Sequence, residues 1–351
     1  MNASLPISVL KEIKFNCTRL GKSDQVIKVS AADSKMTFQF KTGQYFYKRE
    51  VSCPVREIGD SFLSLSRAKQ ISTLSGTVIL EGDLTNLTLS DEDISFREDW
   101  DPSEVKEIQE PSEYWDNEIT IPIPIFSKGL QTVAHALGDE GTLENVLVNI
   151  SDDGFEFVTT DGHQCAIYLE GTITEPVASF KIPRKLIPLL LTVDEDLFDW
   201  MSDQEVNIKF SDFKIRIVWG EHTFVFPTPK FPFPPYKAIL PPRQKEYLEI
   251  DVQNAIDKLK KLSSVNVQVR ATLQQDVFEV LAAEGPTKAK VQIPSTKTLS
   301  NSVSFGINLK FLLAALSQIP DRTCRLTIAN SYSPLHIYSG EADFLVMPLR
   351  L

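Results

Sequence analysis

Three stretches of the chain repeat one design, and that recurrence constrains the fold more than any other feature. "FLSLSRAKQI" from Phe62, "FKIPRKLIPLL" from Phe180 and "FGINLKFLLAAL" from Phe305 each pass from strand-like residues through a Ser, Pro or Asn start signal into a basic, apolar helix. They recur roughly 120 residues apart, close to the size of one small domain. Each unit also opens with an amphipathic helix: Leu10, Ile13, Cys17 and Leu20 behind Ser4 and Pro6; Leu130, Val133, Ala134 and Leu137 behind Ser127; Val252, Ile256, Leu259 and Leu262 behind Asp251. Alternating runs such as "VNIKFSDFKIRIVWGEHTFVF" carry the period-two mark of strands with one solvated face. The predicted fold is therefore α+β: three similar domains, each with two helices packed on β-sheets.

Boundaries fall where composition turns acidic or proline-rich. "REDWDPSEVKEIQEPSEYWDNE" separates units one and two, and "FPTPKFPFPPYKAILPPRQKE" separates units two and three. The expected domains are 1–114, 115–242 with its linker, and 243–351. The second linker is too aromatic for a free tether, and Phe231, Phe233, Tyr236, Ile239 and Leu240 are expected to dock on a domain surface.

Few chemistries are available. "TTDGHQC" sets Asp161, His163 and Cys165 within five residues, where a Cys near a His invites a hydrolase reading. Asp-Gly is equally a turn signal. Phosphate-binding glycine loops are absent, and no spacing suits a metal, so no cofactor and no metal is expected. Cys17, Cys53, Cys165 and Cys324 stand far apart as reduced packing thiols. No apolar run reaches a membrane span and no basic signal flank opens the chain, so the expectation is a cytoplasmic protein without membrane contact. The net charge of −11 excludes a surface that grips nucleic acid all over. It leaves room for a local basic face. Every helix carries a cation: Lys11, Lys14, Arg19 and Lys22 in or beside the first, Arg67 and Lys69 in the second, Lys128, then Arg184 and Lys185, then Lys258, Lys260 and Lys261, and finally Lys310. If three units form an arc with helices on one side, these charges line one surface suited to a phosphate backbone.

The chain ends "EADFLVMPLRL", an unusually apolar tail for a terminus. Taken with "LENVLVNISDDGFEFVTTDGH", "IPRK" and "FPFPPYKAILP", in this order and spacing, it resembles the bacterial DNA polymerase III beta subunit, the sliding clamp family. The wording matches from about Trp115 onward, and the three-unit layout covers the whole chain. The resemblance implies two chains joined head to tail in a ring of clamp domains. The ring encircles duplex DNA without sequence preference and tethers the polymerase, with no catalysis of its own. It implies a groove for short peptides of polymerase, clamp loader and other partners, made of Leu143, Thr160, Gly162, His163, Gln164 and Cys165, of Pro234 and Ile239 in the linker, and of Leu345, Val346, Met347, Pro348, Leu349, Arg350 and Leu351 in the tail. Such peptides carry a glutamine and a pair of bulky apolar residues. The helix cations become the DNA-facing set. Ile94 and Phe96 of unit one with Leu262 of unit three are the apolar candidates for the homodimer interface. The family usually has arginine and leucine where Gln164 and Cys165 stand, and a basic residue at Ala238. Asp139 and Glu140 replace polar DNA-facing residues, and Pro188 is unusual inside the fourth helix. Alternatives are a clamp-like paralogue or phage- or plasmid-encoded clamp with altered partners, a non-ring scaffold, and the hydrolase using Asp161, His163 and Cys165.

Overall fold

Helix formation follows the apolar spacing. In the computed structural model, which describes residues 1–21, 25–101, 103, 108–111, 114–171, 177–192 and 205–350, the first third supplies β1 (Asn2–Pro6), α1 (Ile7–Leu20), β2 (Val26–Ala32), β3 (Lys35–Thr42), β4 (Tyr45–Ser52), β5 (Val55–Glu57), β6 (Gly59–Ser64), α2 (Ala68–Ile71), β7 (Thr77–Asp83), β8 (Asn86–Ser90) and β9 (Ser95–Asp99). The middle third adds β10 (Asn117–Pro122), α3 (Ile123–Val133), β11 (Asn145–Ser151), β12 (Gly154–Thr160), β13 (Gln164–Glu170), β14 (Ala178–Pro183), α4 (Ile187–Leu191), β15 (Glu205–Phe210), β16 (Lys214–Trp219) and β17 (His222–Pro227). The last third adds β18 (Leu248–Asp251), α5 (Val252–Leu262), β19 (Gln268–Gln274), β20 (Val277–Glu284), β21 (Thr287–Pro294), β22 (Val303–Asn308), α6 (Leu309–Leu316), β23 (Thr323–Thr327), β24 (Leu335–Ser339) and β25 (Ala342–Val346).

In α1 the expected stripe of Leu10, Ile13, Cys17 and Leu20 is buried. In α5 the Asp251 carboxylate accepts the Asn254 amide at 2.8 Å, a side-chain N-cap, and Val252, Ile256, Leu259 and Leu262 face the core. Helix α3 begins at Ile123, four residues before the expected cap at Ser127, because Pro124 suits a first turn whose amide needs no partner. It ends before Leu137, which is extended. Pro188 likewise stands in the first turn of the short α4, after a tight turn over Arg184–Leu186.

The strands repeat one plan three times. One set runs β6-β2-β3-β4, then β14-β11-β12-β13, then β22-β19-β20-β21; the other runs β1-β7-β8-β9, then β10-β15-β16-β17, then β18-β23-β24-β25. The end strand of the first set in one repeat pairs with the end strand of the second set in the next. β4 joins β17, and β13 joins β25, so each join makes one antiparallel eight-stranded sheet. The leftover sets form a five-stranded sheet, β5-β1-β7-β8-β9, and a four-stranded one, β21-β20-β19-β22.

Two compact units result. One comprises Met1–Ile123 with Pro188–Thr228, the other Pro124–Ile187 with Pro229–Leu351. Packing thus groups the residues differently from the sequence periodicity, because each unit contains one eight-stranded sheet that crosses a repeat boundary. Among the described residues no helix is long and apolar enough to cross a membrane, and no group of His, Cys, Asp or Glu could hold a metal ion.

Candidate functional site

In the second unit, β13 and β25 bring the TDGH turn and the chain's tail together. Cys165 stands opposite Leu345 and Gln164 opposite Val346, and the Met347 amide donates to the His163 carbonyl at 2.8 Å. Leu147, Val158, Cys165, Ile167 and Leu345 form an apolar floor, on which the linker lays Tyr236, with Phe233 and Leu240 at its margin. Phe231 and Ile239 were expected to dock as well. They stay outside, 66% and 44% exposed.

The linker is latched at Tyr236. Its hydroxyl donates to Glu156 at 2.5 Å and accepts from the Asn149 amide at 3.1 Å. Burial and the neighbouring Glu156 push the phenol's pKa up, so it remains a donor. Sequence reading missed this latch, since neither Glu156 nor Asn149 carries a local signal beyond strand alternation.

The turn itself is rigid. Asp161 Oδ1 accepts the amides of His163 (2.7 Å) and Gln164 (2.8 Å), and Oδ2 accepts the Gln164 side chain at 2.9 Å. Thr160 Oγ1 donates to the Gln164 carbonyl at 2.6 Å, and Gly162, at φ +88°, occupies the left-handed region that a side chain disfavours. The His163 ring stacks on Phe311, centroids 6.1 Å apart, a second contact without a sequence signal. The hydrolase arrangement is not assembled. Cys165 is 2% exposed and burial, with Glu156 and Asp161 nearby, pushes its thiol to about 12.

Of the expected groove residues, Leu345 and Val346 are sealed beneath the surface, whereas Leu143, Pro234, Met347, Pro348 and Leu349 are half-buried and Arg350 is exposed. Leu351 lies outside the described residues. The Leu349 amide donates to Gly306 at 2.8 Å, which ties the tail to β22. Between them opens a cleft of about 860 Å³, bordered by Met347 to Arg350, Phe305, Tyr332 and Arg270. The tail is one border of this cleft and Tyr332, 83% exposed, is another; among the described residues expected in the groove, only Met347, Pro348, Leu349 and Arg350 line it, while Leu143, His163, Pro234 and Ile239 do not.

The helix cations divide into two classes. Lys11, Arg19, Lys260, Lys261 and Lys310 are exposed and in no ion pair among the described residues. Lys14 bonds Ser72 at 2.6 Å and Lys258 donates to the Gln292 carbonyl at 2.8 Å. Two of the three middle-repeat helix cations are ion-paired: Lys128 meets Glu170 at 3.7 Å and Glu341 at 3.9 Å, and Arg184 pairs with Asp139. Lys185 is exposed, and burial of its surroundings lowers its pKa. Lys22 and the side chains of Arg67 and Lys69 lie outside the described residues.

The interface candidates also separate. Ile94 is 40% exposed, and Phe96 is half-buried on the edge strand β9. Leu262 is a correction: it is 2% exposed, because the period of α5 turns it into the core with Leu259. It offers no surface to a partner.

No family model matches the chain. It is 21% identical over 253 residues to the beta sliding clamp of Escherichia coli, covering 68% of this chain and 67% of that protein. Solved structures similar over the full length include the Helicobacter pylori beta clamp (18% identity, TM-score 0.85, all of both chains) and the DNA polymerase III subunit beta of Pseudomonas aeruginosa (16%, 0.84, all of both chains). The Helicobacter pylori clamp has also been solved bound to a DNA ligase peptide, and that structure is similar at a TM-score of 0.84 with 18% identity, again over all of both chains.

Proposed function

We infer that this chain, a divergent member of the bacterial beta sliding clamp family, is a DNA sliding clamp: a processivity factor, not an enzyme, that holds a polymerase to duplex DNA. Two chains join head to tail, the ring encircles DNA without reading bases, and partners dock short peptides beside the tail. The observation that carries the reading is the sheet rule. Each repeat hands an edge strand to the next, and the third repeat has an edge strand left to give while the first has one left to receive. A ring satisfies both. The exposed lysines of α1, α5 and α6 supply salt-sensitive phosphate contacts, while the ion-paired Lys128 and Arg184 of the middle repeat add little.

Loaded protein should stay on nicked circular DNA in moderate salt and leave once the circle is cut. Equal retention on both forms would contradict encirclement. Sedimentation should give twice the 39.5 kDa of one chain.

For the groove, one buried Leu or Phe of a partner contributes roughly 1.5 to 3 kcal/mol before ordering costs, so a few anchors suffice for useful affinity. Removing Met347 to Leu351 should abolish binding of a synthetic peptide with a glutamine and two bulky apolar residues. The calorimetric transition should survive, because Phe344, Leu345 and Val346 keep the strand in place. Partner preference is expected to be shifted, since buried, neutral Gln164 bonds Asp161. Gln164→Arg should change peptide affinity without changing sedimentation.

A further inference from the structure

Past the TDGH turn the tail changes partners. Its Met347 amide bonds the His163 carbonyl, and two residues later the Leu349 amide bonds Gly306 of β22. The cleft of about 860 Å³ lies at this second contact, outside the part of the groove that Leu143, His163, Pro234 and Ile239 are expected to make.

Its charge sets it apart. The chain carries 47 acidic residues against 36 lysines and arginines, yet the border of the cleft has two arginines, Arg270 and Arg350, and no carboxylate among the described residues. The second unit contains four other arginines, and each has an acidic partner: Arg184 with Asp139, Arg243 with Asp343, Arg322 with Asp251 and Arg325 with Glu249. Arg270 and Arg350 are exposed and in no ion pair among the described residues.

The backbone holds both lips in place. Arg270 stands opposite Gly306 in the ladder of β19 and β22, and Gly306 is bridged to Leu349, so one row runs from Arg270 to the tail with a glycine between them. At the usual strand spacing that row is about 10 Å across, a span an arginine side chain largely covers. On the other lip, Asn330 Oδ1 accepts the amides of Tyr332 at 2.9 Å and Ser333 at 3.0 Å, which fixes the turn that presents the Tyr332 ring.

We propose that this cleft receives an acidic side chain of a partner peptide, carried on one flank of its apolar pair and selected by Arg270 and Arg350. The proposal rests on the peptide-docking reading above and adds a charge preference to it. A guanidinium offers a carboxylate two parallel donors in one plane, and Met347, Leu349 and Tyr332 give the peptide chain apolar surface that a bare phosphate backbone could not use. A protein of net charge −11 repels an acidic peptide at large, so tighter binding of one is a local effect.

The test is fluorescence anisotropy with synthetic peptides that share a glutamine and two bulky apolar residues and differ only in two flanking residues, Glu, Gln or Lys, placed before or after the apolar pair. On one flank the Glu peptide should bind at least about threefold tighter than its Gln counterpart, and added salt should erase the difference. Arg270→Gln should cut that advantage to under about 1.5-fold, and Arg270→Glu should reverse it in favour of the Lys peptide. Val269 and Ala271 supply the buried face of β19, so the variants keep the sheet. A Glu advantage on neither flank, or one that survives intact in Arg270→Gln, overturns the proposal. So does an Arg270→Gln variant whose only loss is retention on nicked circular DNA. Failure of every peptide to bind overturns the docking reading and the proposal with it.

Discussion

The two eight-stranded sheets cross a repeat boundary in the same way, yet their junctions are dressed differently. Where β4 meets β17, the outer face is a small cluster of Phe46, Ile108 and Val225 with Val26 and Trp115 at its margin. Its linker supplies Ile108 and Trp115 to that cluster and is held by charge as well, with Glu110 bonded to Arg216 at 2.8 Å and paired with Lys48 at 3.2 Å. Where β13 meets β25, the floor is wider and the linker is held by a phenol and a carboxylate. The helix side differs as well. In the first unit, His222, 2% exposed, lies 3.0 Å from Glu12 and bonds Tyr47 at 3.2 Å, and Tyr47 accepts from Asn16 at 2.9 Å. Burial lowers the His222 pKa, so it serves as a neutral bridge. The segments beyond the last strands differ too: β17 continues into the second linker, while β25 continues into a tail whose backbone is bonded through Met347 and Leu349 among the described residues.

The severest test of the equivalence is to empty both junction cores. Phe224 and Phe344 are each fully buried, and Ala at either should cost about 3–5 kcal/mol in denaturant titrations. A loss under about 1 kcal/mol at one of them would break the comparison.

Acid should act next. Burial lowers His135 of the second unit to about 4, and lowers His222 of the first. Histidines depressed on folding contribute stability that is complete above their usual value of about 6.5 and is lost as pH falls through the folded value. His135 alone should account for about 3 kcal/mol of loss by pH 4. Denaturation of His135→Phe from pH 8 to pH 4 should give a flatter profile than the parent, and an unchanged slope would exclude the assignment.

The latches give the smaller effects and separate the units most cleanly. Tyr236→Phe removes one of two donors to the buried Glu156 Oε2, which keeps the Asn149 amide at 2.9 Å, and should cost about 1 kcal/mol at any salt concentration. Glu110→Gln disturbs a half-exposed ion cluster and should cost under about 1 kcal/mol, vanishing as salt rises. Limited proteolysis of each linker reads both, and a salt-sensitive Tyr236 variant would reverse the assignment.

Much of this was legible in sequence because it is local. The 3.6-residue stripe fixed α1 and α5, Asp251 announced its cap, and Asp161-Gly162 announced a turn. Sheet continuity was illegible because its partners are remote: Tyr47 and His222 are 175 residues apart, and neither strand advertises the other. Separation in sequence likewise hid the pairing of Lys128 with Glu170 and Glu341 and of Arg184 with Asp139. Leu262 was misassigned because an apolar residue at a helix end reads alike whether it faces a core or a partner. Helix α3 starts earlier than a polar cap would place it, because the chain opens it with a proline.

Each junction within the chain is a hydrogen-bonded ladder backed by covalent chain, since a linker closes the loop around it. The end strands β9 and β21, were they to join two copies in the proposed ring, would have the ladder alone. Under mechanical load the two differ in kind. A ladder with a tether re-forms after it frays, because its strands remain at high local concentration, whereas an untethered one separates by peeling from an end. If two copies close a ring as proposed, it would have joints of two kinds, those that heal and those that unzip, and applied force would be concentrated at the seams without any need to weaken them chemically.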